Sequence, residues 1–320
     1  MQFVVTGAAG FLGRTLVSQI LRKWTGADDR FTLIDRVAIV DPDPMDSRVS
    51  RLVGALPNME GLDDALAAAD VVFHLAALPG GAAERDYAGS RVANLEVPLT
   101  LLEKVASRAQ PVRFIYASSV AVFGEPLPHR IDDSTATFPT MTYGAHKLMV
   151  ETSLVNLTRL GRIEGVALRL CGLLARPEGA VGLRSAFMSD LFHACVARRP
   201  IVLPTGPDAT VWIMSATRAA ENLIHAAVID SVAHLRATTL PALRVTVREL
   251  AVAVAAATGC DMSLVSFEPD DALERQFGRL PVLSTQVADS LGFSNDGELA
   301  ALVARALRDA GYSGSAGARP

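Results

Sequence analysis

The chain is short of several things. Its 320 residues include three cysteines, and only 6% are aromatic. Cys171, Cys195 and Cys260 are odd in number and far apart. They form neither a disulfide framework nor a zinc-ligand spacing, so no metal site is expected and a reducing, cytoplasmic location fits best. No basic run stands out, and the net charge is −4. A nucleic-acid partner is not expected, because such binding needs a cationic footprint. No uninterrupted apolar stretch reaches the ~18 residues that suggest a membrane span. The opening MQFVV has no basic segment before it and runs straight into glycines, unlike a signal peptide. Internal repeats and low-complexity tracts are absent. Residues 311–320, GYSGSAGARP, are small and polar and are expected to form a flexible tail.

Core-forming residues are plentiful. Half the chain is hydrophobic and a fifth is charged, ordinary values for a globular protein. QFVVTG, FTLID, RLVGAL, DVVFHLAA, VRFIYASS and GVALRL read as buried strands. Helical patterns separate them: FLGRTLVSQILRKW, a short helix near Gly61 to Ala69, Asn94 to Arg108, and Tyr143 to Leu160. This alternation predicts an α/β fold with a doubly wound, Rossmann-type parallel sheet. After Leu170 the pattern loosens. CGLLARPEGAVG reads as a loop. Helices are expected at Ser185 to Arg198, Thr217 to Val228 and Val247 to Ala257, with a short strand in PIVLPTG. The expected organisation is a dinucleotide-binding domain over 1–170 and a smaller α/β substrate-binding region over 171–310. Some segments of the latter would return to the first core.

TGAAGFLG places glycines at 7, 10 and 13, between the first strand and the first helix. Gly7 suits a tight turn, Gly10 a close approach of pyrophosphate, and Gly13 helix packing on the strand; the helix N-terminus faces the phosphates. The second strand ends in Asp35, 22 positions after Gly13. A carboxylate there accepts both ribose hydroxyls of an adenosine and repels the extra phosphate of NADP. Arg36 partly offsets that repulsion, so NAD is expected over NADP without strict exclusion.

In MTYGAHK, Tyr143 and Lys147 share a helix face. An ammonium beside a phenol favours the phenolate. Ser119, five residues before Gly124, is suited to hold a substrate oxygen. Each residue has an ordinary alternative: a surface aromatic, a strand-end cap, or a helix cap in the case of Asn94.

Four motifs in order, TGAAGFLG, DVVFHLAA, FIYASSVAVFG and YGAHK, resemble the extended short-chain dehydrogenase/reductases, the NAD-dependent epimerase/dehydratase superfamily. The resemblance runs to about residue 310. Within it the chain looks most like the D-erythronate dehydrogenase group, through PLP after VFG, the segment Trp212 to Ser215, and the helix AAENLIHAA. The resemblance implies Ser119, Tyr143, Lys147 and Asn94 as catalytic residues. It implies Gly7, Ala9, Gly10, Phe11, Leu12, Asp35, Arg36, Leu75, Ala76, Ala77, Asn94, Ser118, Tyr143, Lys147 and Leu170 around the cofactor. Gly80, Gly81, Ser119, Tyr143, Cys171, Arg184 and Trp212 are the substrate-side candidates. Dimerisation through the helices carrying Asn94 and Tyr143 is also implied.

Three features depart from the pattern. The third strand's usual Gly-Asp is Gly54-Ala55, which removes an adenine contact. Gly80 and Ala82 stand where relatives carry serine and glutamate. Val211 stands where relatives often carry an arginine suited to an acidic group. His74 reads as structural, and His146 as facing away from the Tyr143–Lys147 side. Cys171 reads as a packing residue with no histidine partner.

The expected activity is NAD-dependent oxidation of a secondary alcohol, with a small hydroxy acid such as D-erythronate, or a less polar alcohol, as substrate. A nucleotide-sugar epimerase is the alternative, and a non-catalytic NAD(H)-binding protein a weaker one.

Overall fold

A computed structural model describes residues 1–40, 46–178, 185–230 and 237–312. The candidate Arg184 and tail residues 313–320 lie outside the described residues. Numbered along the chain, the first elements are β1 (Gln2–Thr6), α1 (Phe11–Lys23), β2 (Arg30–Asp35), β3 (Val49–Val53), α2 (Leu62–Ala68) and β4 (Val71–His74). Then come α3 (Gly80–Arg85), α4 (Tyr87–Arg91), a π-helical turn (Val92–Glu96), α5 (Val97–Ala106), β5 (Arg113–Ser119), β6 (Arg130–Ile131), α6 (Thr142–Arg159) and β7 (Glu164–Leu170). The remainder is β8 (Gly172–Leu173), α7 (Phe187–Val196), β9 (Ile201–Leu203), β10 (Thr210–Met214), α8 (Ala216–Val228), β11 (Thr238–Thr239) and β12 (Leu243–Thr246), then α9 (Val247–Thr258), β13 (Val265–Phe267), α10 (Asp271–Phe277), β14 (Val282–Leu283), α11 (Gln286–Ser290) and α12 (Leu299–Asp309).

Two compact units emerge, and they do not follow chain order. The first is residues 1–124, 137–170 and 220–239; the second is 125–136, 171–219 and 240–320. Thus 125–136 leave the first unit, and 220–239 return to it.

The first unit holds a seven-stranded parallel sheet in the order β11-β7-β5-β4-β1-β2-β3. Its central strands are apolar on both faces, as strands covered twice must be. Val4, Val72, Phe114, Tyr116 and Ala167 share a cluster with Leu62 and Leu66 of α2, Leu101 and Val105 of α5, and Val150 and Leu154 of α6. The strand order reverses between β1 and β4, which is where such sheets form a ligand crevice.

Two expectations are corrected here. RLVGAL is a strand only to Val53, since Gly54 and Pro57 end the pairing. Asn94 to Arg108 does not begin a helix; Asn94 lies within the π turn of a longer run starting at Tyr87. Pro98 follows at once and has no N–H for the fourth carbonyl back, so a wide turn before it relieves the clash.

The second unit packs α7, α9 and α12 around a core including Phe192, Leu203, Val211, Ile213, Leu250, Val254 and Leu302. Its sheets are small: β12-β10-β8, β13-β9 and β14-β6. The sequence TVRE at its α9 forms a capping box, Thr246 and Glu249 each accepting from the other's backbone N–H. Gly311 and Tyr312, expected in the tail, hydrogen-bond back to the Arg308 and Leu307 carbonyls of α12. The Tyr312 hydroxyl is 2.7 Å from His193 Nδ1 and docks there.

Candidate active site

The glycine loop is a tight piece of backbone. Gly7 has φ +74°, and a Cβ there would lie 2.6 Å from the Ala76 amide nitrogen. A Cβ on Gly13 would lie 2.0 Å from the Gly7 carbonyl oxygen. Any side chain at either position would displace α1 or the segment after β4. No side chain caps α1, and no acid lies in its first turn, which leaves its N-terminus suited to an anion. Asp35 ends β2, accepting from the Ala9 amide at 2.9 Å and the Val37 amide at 3.3 Å. Those bonds fix the carboxylate and leave it spare lone pairs. Gly54 N–H donates to Asp35 O at 2.9 Å, so Ala55 stands just past the ends of both strands. A glycine cradle, an uncapped helix start and an oriented carboxylate fit a dinucleotide. Gly7, Ala9, Gly10, Phe11, Leu12, Asp35, Leu75 and Ala76 all belong to this corner, with exposed Arg36 and Ala77 at its margin.

Helix α6 presents the second group. A Cβ on Gly144 would lie 2.0 Å from the Ala121 carbonyl, so glycine lets α6 abut the turn after β5. That contact brings Tyr143 alongside the Ser119 segment. Ser119 accepts from the Ala121 amide at 3.1 Å, and pairs in register with Leu170 on β7. Lys147 is 2% exposed. Its Nζ donates to Ala117 O at 2.8 Å, and lies 4.5 Å from the Tyr116 ring centre and 5.5 Å from that of Tyr143. Burial pulls the Lys147 ammonium down to about 7, with Glu151 opposing.

Glu151 sits one turn beyond Lys147 and is 2% exposed. It accepts from Ser118 Oγ and from Arg169, whose Nη2 is 2.8 Å away and Nε 3.1 and 3.2 Å from its two oxygens. Ser118, read from sequence as a cofactor residue, thus spends its hydroxyl on this pair. Sequence reasoning missed both Glu151 and Arg169. The i, i+4 step from Lys147 to Glu151 was the available signal.

Asn94 joins the site from the π turn. Its Oδ1 accepts from the Leu78 amide at 2.7 Å, and its Nδ2 donates to Leu78 O at 2.9 Å and Ser90 Oγ at 3.0 Å. This fixes the chain just before Gly80. A Cβ on Gly80 would lie 3.7 Å from Tyr143 Cγ, so Gly80 borders the tyrosine, while Gly81 is buried behind it. His74 lies beneath, its Nδ1 2.7 Å from Thr6 Oγ1. Burial, then the Lys147 charge, lowers its pKa to about 3.

The other substrate-side candidates are in the second unit. Trp212 is 2% exposed, and its indole donates to Pro281 O at 2.8 Å. Val211 is fully buried in the apolar core of that unit. Cys171 is buried, and burial pushes its thiol up to about 12, which suits packing rather than attack. Among the described residues, no group of three or more His, Cys, Asp or Glu could hold a metal, and no helix is long and apolar enough to cross a membrane.

A dinucleotide corner beside a tyrosine and a buried lysine on one helix row is the layout of a short-chain-type, NAD-dependent oxidoreductase. The comparisons agree. Residues 3–238 match the NAD dependent epimerase/dehydratase family, and the chain belongs to it. NAD is therefore its cofactor. It is 32% identical over 303 residues to a D-erythronate dehydrogenase of Haemophilus influenzae, covering 92% of this chain and 95% of the relative. It is 31% identical over 326 residues to another from Cupriavidus necator, covering 98% and 100%. A solved nucleoside-diphosphate-sugar epimerase from Agrobacterium tumefaciens superposes with a TM-score of 0.85 at 28% identity, covering 97% of this chain and 94% of that one.

Proposed function

We propose that the chain oxidises a secondary alcohol to a ketone, using NAD and Tyr143 as the base, with a small hydroxy acid of the D-erythronate kind as the leading substrate class. The observation that carries this is Lys147. An ammonium this deeply buried needs a reason to be there. When bound, NAD supplies the acceptor for the hydride. Tyr143, ionised to the phenolate, takes the alcohol proton and becomes the phenol, and the Lys147 ammonium lowers the cost of the phenolate that must exist first. Ser119 orients the substrate oxygen, and Asn94 holds the loop that ends at Gly80. The first unit is the NAD-binding one, with Asp35 on the adenosine ribose and the Gly7–Gly13 loop on the pyrophosphate. Identity of 32% and 31% over nearly the full length of two D-erythronate dehydrogenases supports the substrate class. The missing polar groups at Gly80 and Ala82 suit a less polar alcohol as well, whereas Val211 lies in an apolar core and carries no such argument.

We further propose a homodimer through the helical run that carries Asn94, α4 to α5, and the helix that carries Tyr143, α6. Tyr87 of α4, Val92 of the π turn and Met149 of α6 stand 62%, 43% and 52% exposed, and they are the apolar side chains offered to a partner.

The test is NADH formation with D-erythronate, L-threonate, uronic acids, aromatic secondary alcohols and UDP-sugars. Tyr143→Phe should lower turnover by ~10³-fold, within the range for a lost general base, while NAD still binds. Interconversion of UDP-sugars without net NADH would replace this reading with an epimerase.

A further inference from the structure

His146 has no part in the chemistry above, yet it is 2% exposed and hydrogen-bonded. The direction of that bond can be deduced. Because Asn94 Oδ1 accepts from the Leu78 amide, Nδ2 is its donor end. It gives its two protons to Leu78 O and Ser90 Oγ. Ser90 is fully buried, and its Oγ lies 2.9 Å from His146 Nδ1. Were Nδ1 protonated, the Ser90 hydroxyl hydrogen would be buried with no acceptor, a costly arrangement. Ser90 therefore donates, and Nδ1 carries no proton.

We infer that His146, as the neutral ring protonated only at Nε2, is a positioning residue: through Ser90 and Asn94 it holds the Leu78–Gly80 backbone against Tyr143. The surrounding groups fit. Burial holds the His146 pKa below its usual 6.5; Glu84 of α3 opposes this and Arg91 of α4 adds to it. The Tyr87 ring packs 5.6 Å away, and Lys147 is the next residue along α6. Protonation would turn the Nδ1 acceptor into a donor facing Ser90 and release the chain of bonds. The kinetic consequence rests on the dehydrogenase reading; the tautomer and the loop anchoring do not.

Two measurements on the full chain without cofactor test the proposal. Long-range ¹H–¹⁵N NMR with labelled histidine, His146 being assigned by its loss in His146→Asn, should show the neutral Nε2–H form at about pH 7.5. An Nδ1–H ring or an imidazolium there overturns the proposal. Amide exchange at Leu78 should be roughly fivefold faster in Ser90→Ala and His146→Leu, and near wild type in His146→Asn, which keeps an acceptor close to the Nδ1 position. Equal exchange in all four proteins overturns the anchoring role, whatever the substrate proves to be. With a substrate in hand, kcat/KM of wild type should fall roughly threefold further than that of His146→Asn as pH is lowered through the acid side of the ordinary histidine value of 6.5. Coincident pH profiles would also overturn it.

Discussion

Two polar rows run along α6, and they are built on different electrostatics. Along one, Lys147 and Glu151 meet Ala117, Ser118 and Arg169 through charges. Along the other, His146 meets Ser90 and Asn94 through neutral groups. Both are buried, and both end on backbone carbonyls or amides: Ala117 in β5, and Leu78 before Gly80. The difference lies in what each tolerates. A buried charge must keep its partner, because an orphaned ion is expensive. A neutral row only needs its donors and acceptors in the right sense, so it is sensitive to a single added proton.

The ionic row should show the largest effect. Glu151→Gln leaves Arg169 half-paired at 13% exposure, and should cost roughly 3–5 kcal/mol in urea denaturation. Replacing Glu151 and Arg169 together by methionine should cost clearly less. A double variant as unstable as the single one would mean the pair acts through shape, not charge.

Lys147→Met should go the other way. The lysine's folded pKa is near 7 against a free value of 10.5. Its burial penalty is fully present below about 7 and is relieved as pH rises toward 10.5. A pKa unit corresponds to ~1.4 kcal/mol, and the lost Ala117 bond offsets part of it, so the variant should gain on the order of 2 kcal/mol at low pH. The gain should shrink as pH rises, while catalysis is lost. A variant less stable than wild type at pH 6 would show that the Tyr116 ring and Ala117 carbonyl more than compensate the burial.

On the neutral row, Ser90→Ala should cost about 1–2 kcal/mol, since it strips Asn94 and His146 of a partner without orphaning a charge. A cost equal to that of Glu151→Gln would erase the distinction between the rows.

Much of the first unit was readable beforehand, for one reason: its strands are short, apolar and separated by helical periodicity. Glycines 7 and 13 could be assigned roles because each motif has a backbone cause. The Glu151–Arg169 pair was harder, since Arg169 comes from β7 and no local pattern links it to α6. The two-residue β11 gave no periodic signal at all. α12 was missed although Leu302, Val303, Ala306 and Leu307 form a helical stripe; there the signal was present and unused. Ser90 and His146 meet only because α4 and α6 pack together, which spacing along the chain does not encode.

The return of residues 220–239 to the first unit has a consequence for synthesis. Arg113, on β5, donates to the carbonyls of Ala226 and Ile229 at 2.9 and 3.0 Å, and β11 completes the sheet beside β7. A nascent chain that has just released β7 from the ribosome therefore lacks both. It must keep an open strand edge, and an Arg113 paired with Glu164 but lacking its Nη1 acceptors, while roughly 50 to 70 more residues emerge, several seconds at ordinary elongation rates. The dinucleotide sheet is thus finished late, only once residue 239 has appeared.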